Sequence, residues 1–145
     1  HAALALEKEM RRGGAVAGAG GAGASSVAAA ARAREEAEKR RTDARRRIGM
    51  FREVLEIDPE DPVAHFGLGN AHATLEEWEE AAEAYRRAVS VQKDHSAAYL
   101  ALGKALERLG RDADAKETYR RGMEAASRKG DLMPLREMER RMALL

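Results

Sequence analysis

The chain has 145 residues, of which 35% are charged, and its 26 Lys and Arg against 25 Asp and Glu leave a formal net charge of +1. This length suits one domain with a modest core, and the balanced charge does not predict nucleic-acid or membrane binding by the chain as a whole. Cysteine is absent, which excludes disulfides and cysteine-based metal sites but does not determine the compartment. We expect a cytoplasmic protein, with an organellar lumen as the alternative. Because the first residue is His1 rather than Met, we expect a processed or truncated start that could have removed a localisation signal.

Residues 1–26 are predicted to form a short helix followed by a Gly/Ala-rich flexible arm. His1–Arg12 is the helical part, and Gly13–Ser26 is an uncharged stretch with several helix-destabilising glycines. We interpret this stretch as a linker, with the remnant of a transit peptide as the alternative. It contains Gly-x-Gly-x-x-Gly at Gly18, Gly20 and Gly23, but no strand precedes the glycines, as a dinucleotide site requires. We therefore expect no cofactor, and the glycines also argue against a transmembrane segment.

Residues 27–61 are predicted to contain a long basic helix over Val27–Ile57, or two abutting helices, with Ser25 or Ser26 as the N-cap. The segment Arg32–Arg47 holds eight basic and four acidic residues. Such a run can meet phosphate or anionic lipid, but the interspersed acidic residues favour a solvated helix face. The segment also has no aromatic residue on which a base could stack, so we do not expect nucleic-acid binding. A narrow apolar stripe on the helix consists of Ala37, Ala44, Ile48, Phe51 and Leu55.

A predicted helix pair of 34 residues occurs twice in succession, as Pro62–His95 and Ser96–Lys129. Ten positions are identical in the two copies, and most are small or apolar residues at helical spacing. The first copy is predicted to begin at Pro62 with Asp61 as its N-cap. The second is predicted to begin with Ser96 as its N-cap, to turn at Gly110 and to end at Gly130. Residues 130–145 carry one more apolar stripe, formed by Leu135, Met138, Met142 and Leu145.

Each copy resembles a tetratricopeptide repeat. The Leu-Gly pair of that family stands at Leu68-Gly69 and Leu102-Gly103, and the segment Phe51–Pro59 resembles the end of a preceding unit. The family's small residue and the aromatic that follows four positions later are Ala81 with Tyr85 and Ala115 with Tyr119. The resemblance implies an all-α solenoid with units at residues 62–95 and 96–129. It also implies that the long helix of residues 27–61 ends in a partial repeat and that residues 130–145 form a C-terminal capping helix.

No arrangement of residues predicts an enzyme or a metal site. His65 and His72 lie seven residues apart on one predicted helix, about 10 Å from each other, which is too far to share a metal ion. Both occupy positions where the family places core aromatics, so we expect packed histidines. No catalytic Ser–His–Asp pattern and no His-Glu-x-x-His motif is present.

In the family that the chain resembles, the first helices of the units line a concave groove that grips an extended peptide or a helix. Phe66 and Leu100 are large apolar residues at positions that the helix-pair core does not need, which predicts anchors for a ligand. Asn70 can hydrogen-bond a ligand backbone, and Lys104 adds positive charge for an acidic or C-terminal group. The alternative is that the chain's own N-terminal helix or terminal cap fills the groove. The matching residues are Val63, Phe66, Asn70, Ala73, Ala97, Leu100, Lys104 and Glu107, with Thr74 and Arg108 at the rim.

One subfamily clamps a C-terminal carboxylate with Lys and Asn residues in the groove. Asn70 matches that pattern, but Phe66 replaces its Lys and Ala101 replaces its second Asn, which argues against binding of chaperone tails. The function implied is a non-enzymatic adaptor or scaffold that binds a peptide or helix of a partner protein. The alternative is a structural subunit or assembly factor that docks through its N-terminal arm and helix, or self-associates to complete the short array.

Overall fold

The computed structural model describes residues 19–145, with side chains from residue 23 onward. The predicted helix His1–Arg12 therefore lies outside the described residues, as do Gly18 of the glycine motif and the first part of the predicted arm. The chain divides into two compact parts, His1–Arg40 and Arg41–Leu145. The described residues of the first part are helical, and every contact discussed below lies within the second part.

The described residues form six helices and no strand, which confirms the predicted all-α fold. None of these helices combines the length and the apolar character needed to cross a membrane. The helices are α1 (Ala19–Ile57), α2 (Pro62–Thr74), α3 (Trp78–Val91), α4 (Ser96–Arg108), α5 (Asp112–Lys129) and α6 (Leu132–Ala143).

Helix α1 begins earlier than the sequence predicted. The expected start was Val27 with a serine N-cap, whereas the helix already begins at Ala19 and includes Gly20, Gly21 and Gly23. The prediction that the flexible arm extends to Ser26 is therefore wrong for residues 19–26. Once a helix is nucleated, each added residue gains a hydrogen bond, and the alanines that separate the glycines have the highest helix propensity.

In the main core, paired helices approach each other closely at glycines, which have no side chain. A Cβ atom built on Gly69 would overlap the ring of Tyr85, and one built on Gly103 would overlap the ring of Tyr119. The absence of a side chain at these positions allows the paired helices to approach closely. Gly122 lies inside α5 for the same reason, since a Cβ there would meet the sulfur of Met138 and the Cβ of Tyr99.

The second half of α1 packs on α2 as the end of a preceding unit would. Ala44 and Ile48, two residues of the predicted stripe, are buried in a small cluster with Ala71. The ring of Phe51 lies against Gly67, where a Cβ atom would overlap it. At the other end of the array, Met138 of α6 is fully buried and joins the main core, so α6 covers α5.

The helix ends are mostly those that the sequence predicted. Asp61 caps α2, accepting hydrogen bonds from two backbone N–H groups, and Gly130 ends α5 with a φ of 71°. The prediction that Ser96 caps α4 is wrong. His95 is the N-cap, and its Nδ1 accepts from the Ala98 N–H at 3.2 Å. The Ser96 hydroxyl instead donates to the carboxylate of Asp131, at the start of α6.

Candidate functional site

A groove of about 550 Å³ lies between α2 and α4, with α3 and α6 at its sides. It brings together most of the residues that the sequence analysis named for a groove: Phe66, Asn70, Ala73, Ala97, Leu100, Lys104, Glu107 and Arg108. Val63 and Thr74 are exposed and are not among the lining residues. Ala101, which the sequence analysis named as the position of the clamp's second Asn, also lines the groove. The sequence analysis did not name Trp78, Tyr85 and Arg141 for this groove, although they line it as well.

Phe66 and Leu100, the two predicted anchors, line the groove, and both also pack against the core. The centroid of the Phe66 ring lies 5.9 Å from that of Tyr85 and 4.7 Å from that of His95. Leu100 is half-buried against the main core cluster and also borders a neighbouring apolar depression with Met133 of α6. The sequence analysis placed Phe66 and Leu100 outside the helix-pair core. The structure places them at its edge, because both are partly buried and pack against the main core cluster.

Asn70 lies in the groove with one of its polar atoms already engaged. The hydroxyl of Tyr85 donates to Oδ1 of Asn70 at 2.7 Å. Burial raises the pKa of Tyr85 to about 12, so the hydroxyl stays protonated and remains a donor at neutral pH. An amide side chain carries two N–H donors besides its oxygen. Asn70 is exposed, so its N–H groups can donate to a ligand.

The acidic residue in the groove is neutralised by its neighbours. The carboxylate of Glu107 accepts from the hydroxyl of Tyr119 and lies 3.2 Å from Nη1 of Arg141. Arg141 also pairs with Glu137 at 3.0 Å. Burial, and then the bond to Glu107, raise the pKa of Tyr119, which keeps its proton on the phenol. This network links α6 to α4 and α5, and it neutralises the negative charge of Glu107 in the groove.

Two cations at the groove are not paired with carboxylates. Among the described residues none forms an ion pair with Lys104, and the guanidinium of Arg108 lies 5.2 Å from the ring centroid of Trp78. The latter is a cation–π contact, which leaves the N–H groups at the guanidinium edge able to donate. The groove therefore combines an apolar surface, amide donors and net positive charge.

The two histidines of α2 are packed side chains, as the sequence predicted. His65 and His72 are both buried. Nε2 of His65 lies 2.8 Å from the carbonyl oxygen of Pro59, and Nδ1 of His72 lies 2.9 Å from Oε1 of Glu77. In the part of the chain that the structure describes, no group of three or more His, Asp or Glu side chains is arranged to hold a metal ion.

Comparison with known proteins identifies the family. A tetratricopeptide repeat family model matches residues 22–94 and 66–128, and the chain therefore belongs to the tetratricopeptide repeat family. No match was found among curated proteins.

Solved structures show the same fold. A tetratricopeptide repeat domain protein from Salinibacter ruber is 31% identical, with a TM-score of 0.55 over 58% of this chain and 93% of that one. The TPR2B domain of yeast Sti1, solved as a pHsp70 complex, is 20% identical, with a TM-score of 0.66 over 75% of this chain and 92% of that one. The Sgt2 TPR domain from Aspergillus fumigatus is 23% identical, with a TM-score of 0.56 over 74% and 80%. The chain is thus an α-solenoid of the tetratricopeptide repeat family.

Proposed function

We propose that the groove between α2 and α4 binds an extended peptide or a helix of another protein, which would make the chain a non-enzymatic adaptor. The observation that carries this proposal is the convergence of Phe66, Leu100, Asn70 and Lys104 on one open groove whose own carboxylate is neutralised. An apolar surface with a few convergent polar groups is what a specific binding site requires.

The chemistry of the groove defines the ligand. An apolar ligand side chain would pack between Phe66 and Leu100, where it would be removed from water. The amide of Asn70 would donate to a ligand backbone carbonyl. Lys104 and Arg108 favour a carboxylate next to that apolar residue, supplied by Asp, Glu or a C-terminus.

The Sti1 domain was solved with a pHsp70 ligand, but this chain differs from the carboxylate-clamp pattern at two groove positions. Phe66 stands where that pattern has Lys, and Ala101, which also lines the groove, stands where it has Asn. We therefore propose that the ligand carries an apolar anchor with one acidic group, and that it is not a chaperone tail.

Binding of a fluorescent peptide library in which an apolar residue is followed by Asp, Glu or a free C-terminus tests this proposal. The selected peptides should bind the Lys104→Glu variant at least about tenfold more weakly, since the substitution turns attraction of a carboxylate into repulsion. Lys116→Glu, an exposed lysine of α5 outside the groove, makes the same charge change and should leave affinity unchanged.

Selection of no acidic peptide, or equal loss in the Lys104→Glu and Lys116→Glu variants, would contradict the proposal. A Leu100→Ala variant adds a test of the apolar anchor. Because Leu100 is half-buried, its truncation can also destabilise the protein. The melting temperature of the Leu100→Ala variant is therefore measured together with its peptide affinity.

A further inference from the structure

A second groove, of about 620 Å³, lies between α3 and α5, the second helices of the two repeat units. Buried apolar side chains of α4, Leu102 and Leu106, form its floor. It shares no lining residue with the groove between α2 and α4. A peptide bound between α2 and α4 would therefore leave the groove between α3 and α5 open.

This second groove contains a buried hydroxyl group without a protein partner. Tyr99 lines the groove and is only 5% exposed, and its hydroxyl forms no hydrogen bond among the described residues. No side-chain nitrogen or oxygen atom of those residues is both buried and unpartnered, so the hydroxyl reaches the open groove. The hydroxyls of the other two tyrosines are both engaged, by Asn70 and Glu107. A ligand can thus bond the Tyr99 hydroxyl without displacing a protein group.

Two cations that line the groove lie at the same end as Tyr99. Lys93 is in the turn before α4, and Tyr99 is in the first turn of α4. Arg121 is next to Gly122, where a Cβ atom would meet the Cβ of Tyr99. Neither Lys93 nor Arg121 forms an ion pair among the described residues. Ser90, one helical turn before Lys93, adds an exposed hydroxyl to this end of the groove.

The carboxylates of the groove do not cancel this positive charge. Asp114 lies seven residues before Arg121 on α5, which places it about 10 Å further along the helix. Glu117 is paired at 2.7 Å with Arg120, which does not line the groove. The bond to Arg120 is the largest cause of the lowered pKa of Glu117, and Arg121 is a weaker one. The end of the groove at Tyr99 therefore keeps net positive charge.

The first repeat unit has a counterpart of this groove that lacks both features. All but one of its lining residues stand 34 positions before a lining residue of the groove between α3 and α5. Its charged groups are three glutamates and Arg87, so acidic groups are in excess. His65 takes the place of Tyr99, and its Nε2 lies 2.8 Å from the carbonyl oxygen of Pro59. The cations and the free hydroxyl are thus a property of the second unit and do not follow from the repeat itself.

We propose that Lys93, Arg121 and the hydroxyl of Tyr99 bind the phosphate group of a phosphorylated side chain in a partner protein. A phosphate monoester carries a charge of about −1.5 to −2 at pH 7 and has three acceptor oxygens. Two cations and a hydroxyl match that group better than the single charge and two oxygens of a carboxylate. The floor of Leu102 and Leu106 offers a place for an apolar residue of the same segment, which favours a phosphopeptide over free phosphate.

Titration of the isotope-labelled full chain with an acetylated Leu-phosphoserine-Leu peptide, followed by NMR of the backbone amides, tests the proposal residue by residue. The amide signals of Ser90, Lys93, Tyr99 and Arg121 should shift and saturate. The same peptide with unmodified serine should give no such shifts. A peptide with glutamate in place of phosphoserine, and inorganic phosphate alone, should each bind at least about fivefold more weakly.

Substitutions test each group of the site. Tyr99→Phe keeps the ring and removes a hydroxyl that bonds no protein group, so it should preserve the melting temperature and weaken phosphopeptide binding at least about fivefold. Lys93→Gln combined with Arg121→Gln should weaken it at least about tenfold. Arg87→Gln is the matched control, because Arg87 occupies the position of Arg121 in the first unit, and it should leave the affinity unchanged.

Unchanged affinity in the Tyr99→Phe variant would overturn the proposal, as would equal binding of the glutamate peptide or of inorganic phosphate. Shifts at Asn70 and Lys104 in place of the expected signals would mean that the phosphopeptide occupies the groove between α2 and α4, which would also overturn it. Lys104→Glu should leave phosphopeptide binding at Tyr99 unchanged. Failure of this proposal and failure of peptide binding between α2 and α4 are therefore separate results.

Discussion

The two repeat units have the same helix pair but satisfy their polar groups in different ways. In both units a tyrosine ring covers a glycine of the first helix and its hydroxyl donates to that helix. In the first unit the acceptor is the neutral amide of Asn70. In the second it is the carboxylate of Glu107, which also binds Arg141 of α6. Bonds to ionised groups are about twice as strong as neutral ones, so the tyrosine bond of the second unit is the stronger of the two, and its acceptor is shared with α6.

The N-terminal caps of the first helices also differ between the two repeat units. In the first unit Asp61 caps α2 locally with two hydrogen bonds. In the second unit His95 supplies only one, and the hydroxyl of Ser96 donates to Asp131, next to α6. The second unit therefore uses polar groups to hold its neighbour, whereas the first uses them to define its own helix. A repeat frame thus determines the positions of the backbone and the rings, while the neighbours of each unit determine the polar contacts.

We expect the largest effect on the free energy of unfolding at the glycine that both repeat units share, Gly69 in the first and Gly103 in the second. Gly103→Ala would place a methyl group into the ring of Tyr119, which is fully buried and holds Glu107. We expect a loss of about 1–3 kcal/mol in the free energy of unfolding, as for other overpacked cores. Urea denaturation measures it. Gly69→Ala should also destabilise the protein, since the ring of Tyr85 lies in the equivalent place.

Gly49→Ala serves as the control for this substitution. Gly49 lies inside α1, and a Cβ atom there would meet nothing within 4 Å. The same chemical change should therefore raise the free energy of unfolding by up to about 1 kcal/mol through helix propensity alone. If Gly103→Ala were neutral or stabilising as well, the close approach of helix and ring would not be what selects glycine.

A smaller effect is expected at the corners between the paired helices. Gly110 and Glu76 occupy the same repeat position and both have positive φ, 73° and 59°. An L side chain is strained there, so Gly110→Ala should lower the free energy of unfolding by about 1 kcal/mol. Glu76→Gly should raise it by some tenths, because relief of strain is offset by greater chain entropy in the unfolded state. Urea denaturation of both variants checks the opposite signs, and a stabilising Gly110→Ala would contradict the shared corner geometry.

The sequence could predict features that repeat or that depend on neighbouring residues in the chain. The 34-residue period identified the glycines under Tyr85 and Tyr119, and the local signals of Asp61 and Gly130 located two helix ends. The groove positions on α2 and α4 followed from the family resemblance, and the structure brings most of them together.

The remaining features depend on contacts between residues that are distant in the sequence. Ser96 resembles an N-cap, but its hydroxyl is taken by Asp131, 35 residues later. Arg141 enters the groove because α6 packs against α5, which no pattern within one repeat predicts. The early start of α1 at Ala19 does not follow from local propensity, because Gly20, Gly21 and Gly23 each disfavour a helix.

The smallest predicted effect is on the pH dependence of stability, and it concerns His95, the N-cap of α4. Burial lowers the pKa of His95 below its ordinary value of 6.5, and Lys129 adds to the effect against the opposing charge of Asp94. A histidine whose pKa is lower in the folded state binds fewer protons than in the unfolded state. Its contribution to stability is therefore complete above about pH 6.5 and is lost as the pH falls through the interval between the two pKa values. Protonation of Nδ1 would also remove the acceptor of the Ala98 N–H bond.

Thermal unfolding between neutral and mildly acidic pH, followed by circular dichroism, measures this contribution against a His95→Asn variant. Asparagine keeps a capping oxygen for α4 but does not titrate, so the variant should lose less of its melting temperature on acidification than the wild type. The difference between the two curves therefore reports the cap of the second unit alone, and parallel curves would show that His95 does not couple its cap to pH.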